Sequence, residues 1–426
     1  DVKGAIPYLE VASAKNYMPA HILLARAYMS GPQDDRDYTR AAQALGKALT
    51  QEDPEAEFLM GQLLRVGRGV ERDAERAATL LAKSAAAGNV DAQFSLSQMY
   101  ARGEGLEKDE AQAARWLLEA ADNGSSEAQM SLSFNYQRGT GFPKSEEQSL
   151  KWLARAADAG LPLAQRMLGS SYLLGDRVVE DHEKAIVLLT RAAQAGEPGA
   201  QSTLGYAFAT GTGVAQNDEE AVRWYQKAAD RGLVRAMTAV ASFYENGRGV
   251  PQDMEQAITI YHRAALFGDE RAANRLGVLM ADGTADAALE PELAPAWVAS
   301  AAAQGYVPAF GWLETRQTQG DVVAAALLAG LLREGASVEK DAERAAQLFQ
   351  AAADAGYAPA QLALSHMYAR GEGVAQDLVV AHKWANLASA AGLDEAVSAR
   401  DTVADLMSAE QIEDAQSQAR AFLERE

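Results

Sequence analysis

Apolar residues along this 426-residue chain fall in two alternating stripes of helical spacing, and the pair of stripes returns every 36 residues. In one clear copy Ala92, Leu96 and Tyr100 stand at i, i+4 and i+8, one face of a helix. Gly103 and Gly105 end that helix, since glycine takes positive φ at little cost. Leu106 follows as an apolar plug. Asp109 is placed to cap a second helix by accepting from its free N–H groups. Ala113, Trp116, Leu117, Ala120 and Ala121 form the apolar face of that second helix, and Gly124 stops it.

The position of Ala92 recurs as Ala20, Ala56, Ala128, Ala164, Ala200, Ala236 and Ala272, then, after a break in register, as Ala324, Ala360 and Ala396. A period of this size predicts a row of helical hairpins, none of which covers its own apolar face until it stacks on its neighbours. The capping position holds Asp37, Asp73, Asp109, Ser145, Asp181, Asn217, Asp253, Asp341 and Asp377, so every copy predicts a second helix starting there. Aromatic residues recur two turns after the alanine (Tyr28, Tyr100, Tyr136, Tyr172, Phe208, Tyr244, Tyr368), and Trp116, Trp152, Trp224 and Trp384 share one slot of the second helix. Aromatics present in nearly every unit are core rather than a ligand box.

At these residues the chain resembles the Sel1-like repeat (SLR) family. The carriers are the alanine–leucine–small–tyrosine first helix, the Gly-x-Gly-Val turn (Gly67 to Val70, Gly211 to Val214, Gly247 to Val250, Gly371 to Val374), the capping Asp, and the Trp-Tyr-x-Lys-Ala-Ala run from Trp224 to Ala229. The resemblance covers nearly the whole chain. It implies an all-α fold, a right-handed α/α superhelical solenoid of about ten to eleven Sel1-like hairpins, related to tetratricopeptide solenoids. It also implies a bacterial scaffold or adaptor, and it names no ligand.

Three segments are expected. Residues 1–283 are regular repeats that begin in mid-hairpin, with Asp1 on a capping position. Residues 284–323 are irregular: Thr284 to Pro295 contains Pro291 and Pro295 and no Gly-x-Gly turn, and Ala309 and Ala324 are only 15 residues apart, so one helix lacks its partner. A local kink, a contact with another chain, or simple repacking would each accommodate it. Residues 324–426 are repeats again, ended by a polar helix that Ser408 and Gln411 open as a capping box. Within the regular part Asn16 replaces a stop glycine, Glu52-Asp53-Pro54 replaces another, and Asp176-Arg177 lacks the second turn glycine.

Charge narrows the partners. With 39 basic and 59 acidic residues the net charge is −20, which disfavours non-specific contact with nucleic acid or anionic membrane and fits solubility or a basic partner. There is no cysteine, so packing alone holds the fold, and no apolar run is long enough for a membrane span. The start in mid-hairpin without an initiator Met reads as a trimmed or processed chain. A periplasmic or secreted setting is favoured, with any signal peptide in the missing part, and the cytoplasm stays open.

Catalytic chemistry has little support. The five histidines, His21, His182, His262, His366 and His382, are far apart, and the Gly-x-Gly turns follow helices rather than strands. The acidic loop Asp34-Asp35-Arg36-Asp37 lacks the glycine and final Glu of a calcium loop. Asn123-Gly124-Ser125 matches a glycosylation sequon but spans a helix stop. No catalytic residue, metal site or cofactor is expected.

Binding is the better expectation, at first-helix positions that vary between repeats. By analogy with tetratricopeptide solenoids that face is concave. Two residues after the reference alanine lie Phe58, Phe94 and Met130; six after it lie Gln62, Gln98, Phe134 and Tyr206; ten after it lie Arg102 and Arg138, with Arg65 one position early. This predicts an apolar strip edged by arginine, an arrangement typical of protein interfaces. Packing of Phe58 and Phe94 against neighbouring first helices is the equal alternative. Trp312, beside Phe310 on the unpaired helix, is a second candidate, or else fills the gap there. The expected partner is a protein or peptide, in envelope assembly, secretion or signalling. The alternative is a polysaccharide or peptidoglycan, which a spaced row of exposed aromatics would favour.

Overall fold

The computed structural model describes residues 2–30, 32, 36–335 and 337–424. Asp1, Asp34 and Asp35, named above for their places in the repeat, lie outside the described residues. Every regular element among the described residues is helical, and the helices follow one another as hairpins.

Capping decides where these helices begin. All nine expected second-helix caps accept a backbone N–H from the first turn they open. Asp109 takes two, from Ala111 at 2.9 Å and Gln112 at 3.0 Å. First helices end where a glycine turns left-handed: Gly103 has φ 66° and returns its N–H to the Met99 carbonyl. Asn16, Glu52, Arg177 and Ser337 adopt the same left-handed conformation at places where glycine is missing.

The eleven reference alanines are at most 1% exposed, so each marks the closest approach of two helices, where a larger side chain has no room. One further device locks the stack. The residue after the alanine is often glutamine, and its side-chain amide donates to a carbonyl eight residues earlier, near the end of the preceding second helix. Gln93 reaches Ala85, Gln129 reaches Ala121, Gln165 reaches Ala157, Gln201 reaches Ala193 and Gln361 reaches Ala353, all at 2.9–3.2 Å. Each of these carbonyls already accepts the N–H of the glycine that stops the helix, and the glutamine adds a second donor.

The chain divides into two compact units, Asp1–Ala228 and Ala229–Glu426. In the first, the core is a series of clusters rather than one centre. Leu24, Leu45, Leu63, Leu81 and Leu96 belong to one; Leu117, Leu132 and Trp152 to the next; Met130, Leu153 and Leu168 to a third. Each cluster joins helices close in sequence, as expected when hairpins cover one another's faces.

In the second unit, a buried carboxylate, Glu245, receives the Tyr261 hydroxyl at 2.9 Å and the Arg275 guanidinium. The irregular stretch contains a 3-10 turn, Ala287–Leu289, and a ten-residue helix, Ala294–Ala303, that buries Trp297 against His262. The helix Val307–Thr318 then leads straight into Val322–Glu334, with no second helix between them. At the end, Ser408 and Gln411 form the expected capping box for Ala409–Leu423, whose Phe422 packs edge-on against Trp384. The preceding helix runs from Asp394 to Ala404.

Candidate functional site

The expected binding residues of the first unit, apart from Tyr206 on Pro198–Thr210, sit on three successive first helices, Pro54–Val66, Val90–Arg102 and Ser126–Arg138. They do not form one open strip. Met130 is 5% exposed and belongs to the core cluster of Leu153 and Leu168, so its expected surface role is corrected. Phe58, Phe94 and Phe134 are half-buried and pack on core clusters. The row two residues after the alanine thus turns into the seam between neighbouring first helices. Arg102, Arg138 and Tyr206 are exposed, Tyr206 at 48%. In the second unit Trp312 is half-buried beneath the Arg316 guanidinium, 5.3 Å from its ring.

Phe94 and Gln98 do come together, in a cavity of about 330 Å³. Its floor is Leu117, Ala113 and Ala114 of the second helix Glu110–Asp122. One wall carries Phe94, Ser97, Gln98 and Ala101; the facing wall carries Ser131 and Asn135 of the next first helix. The turn Thr140 to Phe142 closes one side, and Lys108 and Glu110, paired at 2.9 Å, lie at another. The volume is at the small end for ligand pockets, and the apolar floor with a few polar groups is usual for them.

Two departures from the repeat open this joint. Between the preceding pair of first helices the seam is bridged by Gln62, whose amide donates to the Ser95 hydroxyl at 2.7 Å. The equivalent pair here is Gln98 and Ser131. Ser131 bonds back to the Glu127 carbonyl, and the Gln98 amide has no partner among the described residues. The second departure is in the turn. A β-carbon on Gly105 would meet the Ala74 carbonyl oxygen at 2.0 Å, and Gly69 and Gly373 lie equally close to the second helix before them. Gly141 has nothing within 4 Å. Phe142, standing where other turns have valine or leucine, packs on Tyr136 with ring centroids 4.9 Å apart.

The first helices are basic at their C-terminal ends, while the turn after Arg102 carries Glu104, Glu107, Asp109 and Glu110 beside Lys108. From the second residue after the alanine onward, the three first helices read Phe58–Val66, Phe94–Arg102 and Met130–Arg138 without a carboxylate, although the chain holds 59 acidic residues. Arg65, Arg102 and Arg138 have no carboxylate partner among the described residues; Arg138 lies over Phe134 at 5.8 Å, and Arg65 Nη1 is buried and unbonded. Acidic residues stand instead in the first turns, where they complement the helix dipole.

Sequence reasoning missed Ser97, Ala101, Ala114, Ser131, Asn135 and Phe142 as cavity residues. Phe142 carried a signal: it is larger than the Val or Leu of the other turns. Asn123 and Ser125 of the sequon are structural, Asn123 donating to Gln93 Oε1 at 3.0 Å and Ser125 capping the next helix. Among the described residues no cluster of three or more His, Cys, Asp or Glu is placed to hold a metal, and no helix is long and apolar enough to cross a membrane.

The Sel1 repeat matches the chain nine times, at residues 54–89, 90–125, 126–161, 162–197, 198–233, 234–269, 271–306, 322–357 and 358–393. The helix Val307–Thr318 falls in the gap between two of these matches. Among solved structures, a protective antigen present in uropathogenic Escherichia coli strains and displaying an SLR fold is 28% identical. That likeness covers 100% of this chain and 88% of that one, with a TM-score of 0.60. A Sel1 repeat protein from Oxalobacter formigenes is also 28% identical, over 57% of this chain and 96% of that one, with a TM-score of 0.48. No curated protein matches the chain.

Proposed function

The chain belongs to the Sel1 repeat family, and from that membership we propose that it is a non-enzymatic scaffold that captures a segment of a partner protein on the face made by its first helices. The observation that carries this reading is the cavity between Val90–Arg102 and Ser126–Arg138, with its apolar floor and free amide. Arg102 and Arg138, without carboxylate partners among the described residues, end the two helices beside it. A compact apolar pocket beside arginines is what a protein anchor residue fits. A glycan would call for a spaced row of exposed rings, and of the first-helix aromatics named above only Tyr206 is exposed. The setting we propose is the bacterial envelope, in assembly, secretion or signalling. Its support is the likeness, over the whole of this chain, to a protective antigen of uropathogenic Escherichia coli.

The test is affinity capture from envelope and cytosolic fractions of the source cell, with wild type beside Ala101→Trp, which fills the cavity from an exposed helix position. Circular dichroism checks that the variant folds. A protein held by wild type, rebound after separate purification and lost by the folded variant is the expected outcome. Capture of glycan alone on a polysaccharide array, with no protein, would overturn the reading.

A further inference from the structure

We propose that the cavity beside Gly141 receives a bulky apolar side chain from an extended, acidic segment of the partner. This deepens the scaffold reading and rests on it. Three observations name the occupant.

The first is room that three other turns do not leave. At Gly69, Gly105 and Gly373 the turn sits against the backbone of the preceding second helix, with no space for one more carbon. At Gly141 it stands clear, and Phe94, Leu117 and Phe142 line the opening with Ala113 and Ala114. An opening of about 330 Å³ floored by apolar groups suits one large aliphatic or aromatic side chain with some backbone beside it.

The second is a pair of amides. Gln98 and Asn135 face the opening from opposite walls, and neither side chain has a hydrogen-bond partner among the described residues. Each carries a donor and an acceptor, the complement of a peptide group. A helical segment has already used its backbone groups internally, whereas an extended one offers them. The amides therefore select an extended chain.

The third is charge. The last turns of Val90–Arg102 and Ser126–Arg138 contribute two exposed arginines without carboxylate partners among the described residues, and no acidic residue follows Asp91 or Glu127 on these helices. Lys108 and Glu110 neutralise each other. Carboxylates flanking the apolar residue complement this rim; lysines or arginines would meet its positive charge.

The experiment pans a phage-displayed library of random peptides on the full chain, then measures selected peptides by fluorescence anisotropy. The variants are Ala101→Trp, the double charge reversal Arg102→Glu/Arg138→Glu, and Gln98→Ala, all checked for folding by thermal melts. Wild type is expected to enrich peptides that join Phe, Trp or Leu to Asp or Glu. Their affinity is expected to fall at least about tenfold in the cavity-filled and charge-reversed variants, as for anchor residues of an interface. Enrichment of basic peptides, no enrichment, or binding unchanged by Ala101→Trp would each overturn the proposal. Peptides whose binding ignores Ala101→Trp would still fit a scaffold with its site elsewhere. Failure of the scaffold reading itself would show separately, as no captured protein.

Discussion

Gly105 lies against Ala74 so closely that a β-carbon added to it would stand 2.0 Å from the Ala74 carbonyl oxygen, while Gly141, one repeat on, has open space at the same place. Both glycines have φ 70°. Alanine at either position incurs the left-handed penalty, about 1–2 kcal/mol. At Gly105 the clash with backbone adds to it, for a total of about 2–5 kcal/mol. Urea melts of Gly105→Ala and Gly141→Ala should therefore differ clearly, with Gly141→Ala the milder. Equal losses would mean that the Gly141 turn is docked like the others in solution.

That pair also marks how far the sequence could be read. The caps and the reference alanines obey short-range rules, so Asp109 and Ala92 could be assigned from spacing alone. The joint at Gly141 could not, because its turn differs from the others by little more than Phe142 for Val or Leu, and whether a turn docks depends on the helix before it. Met130 was misassigned for a related reason: its row faces solvent or seam according to how far neighbouring first helices tilt together. Gln93 was overlooked because a buried glutamine looks like a surface residue until its carbonyl partner is known.

In the second unit, Glu245 is held by Tyr261 and Arg275. Burial, then the bond to Glu245, pushes the Tyr261 hydroxyl well above the usual tyrosine range, so it stays a donor at any working pH. Tyr261→Phe should cost about 1.5–3 kcal/mol, the worth of a hydrogen bond to a charged group. Glu245→Ala should cost more, about 2–4 kcal/mol, because it leaves the buried Tyr261 hydroxyl unbonded and removes the charge partner of the partly exposed Arg275. Chemical denaturation followed by far-ultraviolet circular dichroism measures both. A Glu245→Ala variant no weaker than Tyr261→Phe would show that the ion pair adds little.

His382 is 2% exposed, and its Nδ1 has no hydrogen-bond partner among the described residues. Burial, then the charge of Arg400, lowers its pKa below the usual 6.5; Asp401 opposes this in part. The unfolded chain takes up a proton near pH 6.5 that the folded chain refuses. Stability from this group is full above pH 6.5 and is lost as the pH falls toward the lowered folded value. Each pH unit in that window costs up to about 1.4 kcal/mol. Urea midpoints measured from pH 7.5 to 5.5 should fall for wild type and fall less for His382→Gln. Parallel curves would mean that His382 protonates equally in both states. His21 and His366, also lowered chiefly by burial, leave some slope in the variant.

Glu57 occupies the slot where five other repeats place the locking glutamine, and it is 4% exposed. A carboxylate there cannot donate to the carbonyl before it. Burial raises its pKa above the usual 4.5, and Lys83 offsets this only in part. The folded state therefore binds the proton more tightly than the unfolded chain, and keeping Glu57 ionised at neutral pH opposes folding. That cost disappears as the pH falls through the raised value to below 4.5, where the carboxyl is neutral in both states. Glu57→Gln keeps the shape, removes the charge and restores a donor, so at pH 7 it should stabilise the protein by about 1–3 kcal/mol. The gain over wild type should shrink steadily toward pH 4, because only wild type regains stability from this group as it protonates. Urea midpoints of the two proteins at pH 7, 5.5 and 4 decide it. A variant weaker than wild type at pH 7 would mean that Glu57 gains more from Lys83 than it loses by burial, and a gain independent of pH would assign the effect to the new hydrogen bond alone.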